Sequence, residues 1–252
     1  MNKLKGKVAI VTGATSGMGS EIALLFSREG AAIIASGRDV ARGQAIAAKI
    51  RAEGGRAEFV AGDIGTFEAN DALVRAAVEL FGGVDTVAMS AGELGLGSVT
   101  DVELETWHRT IASNLHSVFY LCRVAIPEMK RRGGGSIVVN GSIAAYKGFP
   151  NHAAYCASKG ALVPLVKQIA RDFGPAIRVN LMCPGPVDTP LLWDSARAFP
   201  DPRQAVRAAA DGTVQRRLGL PRDIANLALF LATDDSAWMT GAAIPIDGGA
   251  LC

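Results

Sequence analysis

Tyr155 and Lys159 stand four residues apart in a stretch, Ala153–Phe173, that reads as helix. At that spacing both side chains share one helical face. A free phenol has a pKa near ~10 and trades protons poorly at neutral pH. A neighbouring ammonium favours the phenolate, so Lys159 is expected to pull Tyr155 toward the working range. An isolated pair of this kind says little, because a partly buried Tyr beside a solvated Lys arises easily by chance. Two further polar residues sit where chemistry could use them. Ser142 follows an apolar run at 136–140 and a glycine, and Asn114 lies inside a long helical stretch at 101–132 that is expected to break at Pro127. Asn is unfavourable in a helix interior, so Asn114 signals either a polar network or a local kink.

The elements that must position these groups alternate strictly. Short apolar runs at 8–11, 31–35, 57–61, 85–89, 136–140, 177–182 and Ala243–Ile246 are separated by helical stretches, among them 21–28, Phe67–Phe81 and 222–232. Strands that are apolar throughout, each followed by a helix, predict an α/β fold: one doubly wound, Rossmann-like parallel sheet with helices on both faces. No linker, repeat or composition break divides the 252 residues, so a single domain is expected. The least regular segment, 184–219, carries Leu191, Leu192, Trp193 and Phe199 and reads as a substrate loop or lid.

The first strand runs into Thr12-Gly13-Ala14-Thr15-Ser16-Gly17-Met18-Gly19 and then a helix. Strand, glycine-rich turn and helix is the context of a dinucleotide phosphate site. Gly13 permits the tight turn, and Gly17 and Gly19 let backbone and helix start approach a pyrophosphate. The second strand ends in Ser36-Gly37-Arg38-Asp39. A carboxylate there would read the ribose 2′-hydroxyl of NAD. Gly37 occupies that place and Arg38 follows, which favours NADP(H) over NAD(H). The other reading of Arg38 is an exposed residue at a helix start, with Asp39 as its cap. Asp63-Ile64 follows the third strand, where Asp63 either meets an adenine or satisfies turn amides. Ala91 and Gly92, after the fourth, are small enough for a cofactor to lie across them.

Composition narrows the alternatives. Net charge is +2 with no basic stripe, and only 6% of residues are aromatic, so neither a nucleic-acid surface nor a base-stacking platform is indicated. No apolar run reaches the ~18 residues of a membrane span, and no signal-peptide core follows Met1. Cys122, Cys156, Cys183 and Cys252 show no metal or redox spacing. No metal site is expected, and a cytoplasmic location with reduced thiols is.

Together these motifs resemble the short-chain dehydrogenase/reductase family over nearly the whole chain. The glycine turn Thr12-Gly13-x3-Gly17-x-Gly19, the residues Asn114, Ser142, Tyr155 and Lys159, then Pro184-Gly185 and Asp247-Gly248-Gly249, match its signatures in order. Two positions depart from the pattern: the family's Asn-Ala-Gly is Ser90-Ala91-Gly92, and Ser16 stands where NADP-preferring members often carry a basic residue. The resemblance implies a hydride transfer between a nicotinamide and a ketone or secondary alcohol. It implies Tyr155 as proton donor and Ser142 as hydrogen-bond donor to the same oxygen. It also implies Lys159 as tuner of Tyr155 and holder of the ribose, and Asn114 as holder of a water that resupplies the proton. Cofactor contacts would include Pro184, Gly185, Val187 and Thr189. A homotetramer, or a dimer, is expected, and the apolar end at 244–252 would suit an interface.

Candidate substrate-pocket residues are Ser142, Ala144, Phe149, His152, Pro186, Leu191, Leu192 and Trp193, with Glu93 and Leu94 nearby. They are mostly apolar, which suits a moderately sized apolar ketone, cyclic or aryl. His152 either bonds substrate or lies at the pocket rim. The leading expectation is an NADPH-dependent carbonyl reductase. An NAD-dependent secondary-alcohol dehydrogenase is the alternative. A nucleotide-binding protein without chemistry is more remote, because Ser142, Tyr155 and Lys159 are intact.

Overall fold

The apolar runs pair into one seven-stranded, wholly parallel sheet in the order β3-β2-β1-β4-β5-β6-β7. The strands are β1 (Val8–Thr12), β2 (Ala32–Gly37), β3 (Arg56–Ala61), β4 (Thr86–Met89), β5 (Gly135–Asn140), β6 (Ile177–Pro184) and β7 (Ala243–Ile246). This computed structural model describes residues 2–252. The period-2 alternation of a strand sends neighbours to opposite faces. Val8 and Ile10 of β1 enter one apolar layer, with Leu73, Leu121, Leu162 and Val166. Ala9 and Val11 enter the other, with Ile22, Phe26, Ile50 and Leu231. Helices α3 (Phe67–Phe81), α5 (Ser117–Arg131) and α6 (Ala153–Phe173) cover the first face. Helices α1 (Gly17–Arg28), α2 (Val40–Ala52) and α9 (Pro221–Ala232) cover the second. Strand order reverses between β1 and β4, which opens a crevice at their carboxyl ends, the usual ligand position in such sheets.

Three details differ from the sequence-based expectation. The first helix begins at Gly17, ahead of the amphipathic pattern at 21–28, because Gly17 and Gly19 in its first turn have no side chains to show that pattern. The stretch 101–132 breaks at Asn114, not Pro127. Helix α4 (Leu104–Ile111) passes into a five-residue π-helical turn, Ala112–His116, before α5. Pro127 sits inside α5 on its exposed side with Arg123, so water can take the carbonyl that proline leaves unbonded. The segment 184–219 contains two helices, α7 (Pro190–Ala196) and α8 (Pro202–Asp211). Thr189 and Asp201 cap them by accepting from Leu192 N and Gln204 N, each with proline at the first helical position.

Candidate active site

Helix α1 starts without a side-chain cap: Ser16 makes no capping hydrogen bond. Its first amides therefore face an anion site, and the helix dipole favours negative charge there. The turn is tight enough to require its glycines. Gly13 has φ +67°, and a Cβ on it would lie 2.6 Å from Ala91 N; a Cβ on Gly19 would lie 2.3 Å from the Gly13 carbonyl oxygen. A groove of about 550 Å³ runs from this turn across the strand ends. It is lined by Gly13, Thr15, Ser16, Gly17, Met18 and Gly19, by Arg38, Asp63, Ile64, Ala91 and Gly92, and by Tyr155, Lys159 and Thr189. An uncapped helix start at a glycine cradle, opening on a long groove, fits a dinucleotide.

Pro184, Gly185 and Val187, at and just past the end of β6, line a neighbouring cavity instead, while Thr189 borders both spaces. Asp63 takes its turn role, with Oδ1 accepting from Gly65 N at 2.9 Å. Arg38 is already paired. Its Nη1 binds Glu93 Oε1, and Arg109 Nε binds the other oxygen, Oε2, at 2.9 Å. Asp39 caps α2 and pairs with Arg42 at 2.7 Å. A Cβ on Gly37 would stand 2.5 Å from the Thr15 methyl carbon, so this strand end has no room for an acidic side chain unless Thr15 moves.

Helix α6 presents Tyr155 and Lys159 to the groove as their spacing requires. The expected depression of Tyr155 is not found. Burial pushes its phenol up to about 12, against a hydrogen bond with Ser142 that pulls it down. Lys159 is 4% exposed and burial pulls its ammonium down to about 8. Its Nζ donates to the Asn140 carbonyl at 2.9 Å and lies 5.7 Å from the Tyr155 ring centroid, over the ring face. Desolvation disfavours the charged form of both groups and sets the direction of both shifts. Ser142 Oγ accepts from Ala144 N at 3.0 Å, which leaves its own hydroxyl proton to donate.

Asn114 serves both readings offered for it. It lies in the π turn, and its side chain clamps Glu93 and α6. Nδ2 donates to the Glu93 carbonyl at 2.8 Å and to Ser158 Oγ at 2.9 Å, while Oδ1 accepts from Glu93 N at 2.8 Å. Behind Lys159 lies a cavity of about 10 Å³, lined by Asn70, Asn114, Ser117 and Asn140 among others. Oδ1 of Asn70 and Oδ1 of Asn140 are buried there without partners. That volume with two open acceptors suits one water.

Beyond Tyr155 opens a second cavity of about 320 Å³, lined by Ser142, Phe149, His152, Pro186, Leu191 and Leu192. Two residues expected here lie elsewhere. Ala144 is buried behind the wall and contributes only its amide to Ser142. Trp193 is 44% exposed, with its indole N–H donating to Asp188 Oδ1 at 3.0 Å, because α7 turns that face outward. His152 is buried, and both ring nitrogens are engaged, with the Pro150 carbonyl and with Ser195 Oγ. Glu93 belongs to the groove and Leu94 touches both spaces. Sequence reasoning missed Lys147, Ser195 and the apolar face of α8, where Ala205, Val206 and Ala209 close the cavity. The capped start at Asp201-Pro202 followed by small apolar residues was the available signal for α8.

Comparison with known proteins agrees with this geometry. A family model described as enoyl-(acyl carrier protein) reductase matches residues 13–250. A trans-4-hydroxycyclohexanecarboxylate dehydrogenase from Sinomonas cyclohexanicum is 39% identical, over 98% of this chain and 94% of that enzyme. A 2,5-dichloro-2,5-cyclohexadiene-1,4-diol dehydrogenase from Sphingobium indicum is 36% identical, over 98% and 97%. The crystal structure of L-sorbose reductase from Gluconobacter frateurii, complexed with NADPH and L-sorbose, superposes with a TM-score of 0.93 at 32% identity, covering 100% of this chain and 99% of that one. With the glycine-cradled groove and the Ser142–Tyr155–Lys159 cluster in one parallel sheet, these matches show that the chain belongs to the short-chain dehydrogenase/reductase family, as an NAD(P)-dependent oxidoreductase acting on CH–OH and C=O groups.

Proposed function

We propose that the protein is an NADP(H)-dependent carbonyl reductase for ketones of moderate size, with a carbocyclic or aryl body. The observation that carries this reading is the position of Tyr155, which lines both the long groove and the apolar cavity, beside Ser142. A carbonyl carbon seated there meets the groove on one side, and its oxygen meets two hydroxyl donors on the other. The nicotinamide, when bound, supplies the hydride. Tyr155 donates the proton to the oxygen, and a phenol pushed up to about 12 is fully in its donor form at neutral pH. Ser142 donates a second hydrogen bond as charge develops on that oxygen. Lys159 holds the ribose hydroxyls. A water in the small cavity behind Lys159 resupplies the proton, with Asn114 fixing the π turn beside it. Thr189 reaches the nicotinamide amide, and α7 with α8 forms the lid. A ring-bearing substrate is supported by the cavity's apolar wall and by the two relatives whose names specify ring diols or ring alcohols.

NADP(H) is supported by Arg38 and Arg42 at the groove and by the absence of room for an acid at Gly37. One observation favours the second reading, an NAD-dependent secondary-alcohol dehydrogenase: Glu93 already holds Arg38. A homotetramer in the cytoplasm is the assembly and location we propose. Leu104 on α4 and Phe119 on α5 are exposed apolar groups suited to a subunit contact.

The test is a panel of cyclic and aryl ketones and secondary alcohols, followed at the nicotinamide absorbance band with both coenzymes. A higher kcat/KM with NADPH, lost selectively in Arg38→Ala, supports the reading. A clear preference for NADH overturns the coenzyme assignment. Unchanged turnover in Tyr155→Phe overturns the role of Tyr155.

A further inference from the structure

The wall of the apolar cavity carries one formally charged side chain, Lys147. Every other lining group is apolar, a hydroxyl, backbone or the imidazole of His152. Lys147 follows the short 3-10 turn Ile143–Ala145 that begins at Ser142. Its ammonium lies 5.3 Å from the centroid of the Phe149 ring and 3.4 Å from the Ala250 carbonyl oxygen. No carboxylate pairs with it among the described residues. The ring and the carbonyl thus hold the cation at the cavity wall, with its charge uncompensated.

The order of groups along that wall sets a direction. The Tyr155 and His152 ring centroids are 6.2 Å apart, those of His152 and Phe149 are 6.1 Å apart, and Lys147 sits beyond Phe149. The proton donor and the cation therefore line one wall of the cavity, linked through the His152 and Phe149 rings. An anion entering such a space loses hydration that apolar walls cannot replace. A cation at the wall offsets that loss, and an exposed lysine at the rim gives up little hydration itself to do so.

We propose that Lys147 binds a carboxylate on the substrate. The preferred substrates are then keto acids, or the corresponding hydroxy acids, in which a ring separates the reacting carbon from the acid. This rests on the carbonyl-reductase reading above and adds the substrate's charge to it.

The test compares 4-oxocyclohexanecarboxylate with its methyl ester, in wild type, Lys147→Met and Lys147→Arg, with each coenzyme. Wild type is expected to use the acid with the higher kcat/KM. Lys147→Met should raise KM for the acid severalfold, up to about tenfold, as expected for an ion pair at a partly exposed rim, with kcat little changed. The ester should be indifferent to the change, which also shows that the variant folds. Lys147→Arg should recover part of the affinity, and added salt should raise KM for the acid alone. Equal use of acid and ester by wild type overturns the inference, as does an equal loss for both in Lys147→Met. If neutral ketones are reduced and the acid is not, this inference fails and the oxidoreductase reading stands. If no ketone or alcohol of either kind reacts with either coenzyme, that reading fails and takes this inference with it.

Discussion

Nε2 of His152 lies 2.7 Å from Oγ of Ser195, which ties the start of α6 to the lid helix α7. The other ring nitrogen, Nδ1, lies 2.6 Å from the Pro150 carbonyl oxygen, which can only accept. The ring proton therefore sits on Nδ1, and Ser195 donates to Nε2. Ser195→Ala removes that donor and loosens the lid, and should raise substrate KM about three- to tenfold, the worth of one neutral hydrogen bond, with kcat close to wild type. It should also quicken proteolysis within 190–212. Steady-state kinetics and timed digestion check both. A variant unchanged in both measurements would show that the tie does not hold the lid.

Glu93 stands between Arg38 and Arg109 at the edge of the groove. It neutralises the cation that a 2′-phosphate would need, and it would repel that phosphate. Glu93→Gln should tighten NADPH several-fold and leave NADH unaffected, because NADH carries no charge at this position. Titration of coenzyme fluorescence measures both constants. Weaker NADPH binding in Glu93→Gln would mean that Glu93 orients Arg38 instead of competing for it.

Helices with local signals were legible in the sequence. Phe67–Phe81 is bounded by Thr66, which accepts from Ala69 N, and by Gly82 in the left-handed region at φ +86°. Tyr155, Lys159 and the glycine turn were legible because spacing alone puts them on one face or in one loop. The Arg38–Glu93 pair was not legible, since its partners are 55 residues apart and meet only where β2 and β4 end near each other. Lys147 carries no local pattern, because an exposed lysine in a loop reads as solvated until a cavity wall is seen beside it. The shifts of Tyr155 and Lys159 were also out of reach. Proximity fixes the sign of their attraction, but only burial shows that desolvation sets the direction of both shifts.

Asn114 spends both amide protons and its oxygen on Glu93 and Ser158. Asn114→Ala leaves the Glu93 amide and carbonyl without these bonds, at a cost of about 1–3 kcal/mol for each buried group that stays unpaired. Urea unfolding should show that loss of stability. Activity should fall as well, since Glu93 at the groove edge and Ser158, next to Lys159 on α6, lose the side chain that ties them together. Full activity in a destabilised Asn114→Ala would confine this residue to a structural role.

Lys159 costs the coenzyme-free fold stability. Burial lowers its pKa from the ordinary 10.5 to about 8. Below pH 8 the folded protein carries a buried ammonium, and the cost is fully present. Between about 8 and 10 the folded site has lost a proton that the unfolded chain still holds, so stability rises with pH. Above about 10 Tyr155 acts in the opposite sense, because the unfolded phenol ionises first while the folded one stays protonated up to about 12. At pH 7 Lys159→Met should therefore stabilise the coenzyme-free protein, by on the order of 3 kcal/mol less the lost bond to the Asn140 carbonyl. It should also flatten the rise in stability from pH 8 to 10 and abolish turnover. Chemical denaturation of both proteins at pH 7 and pH 9.5 measures this. A Lys159→Met variant that is less stable at pH 7 would mean that the Asn140 carbonyl and the Tyr155 ring compensate the buried charge in full.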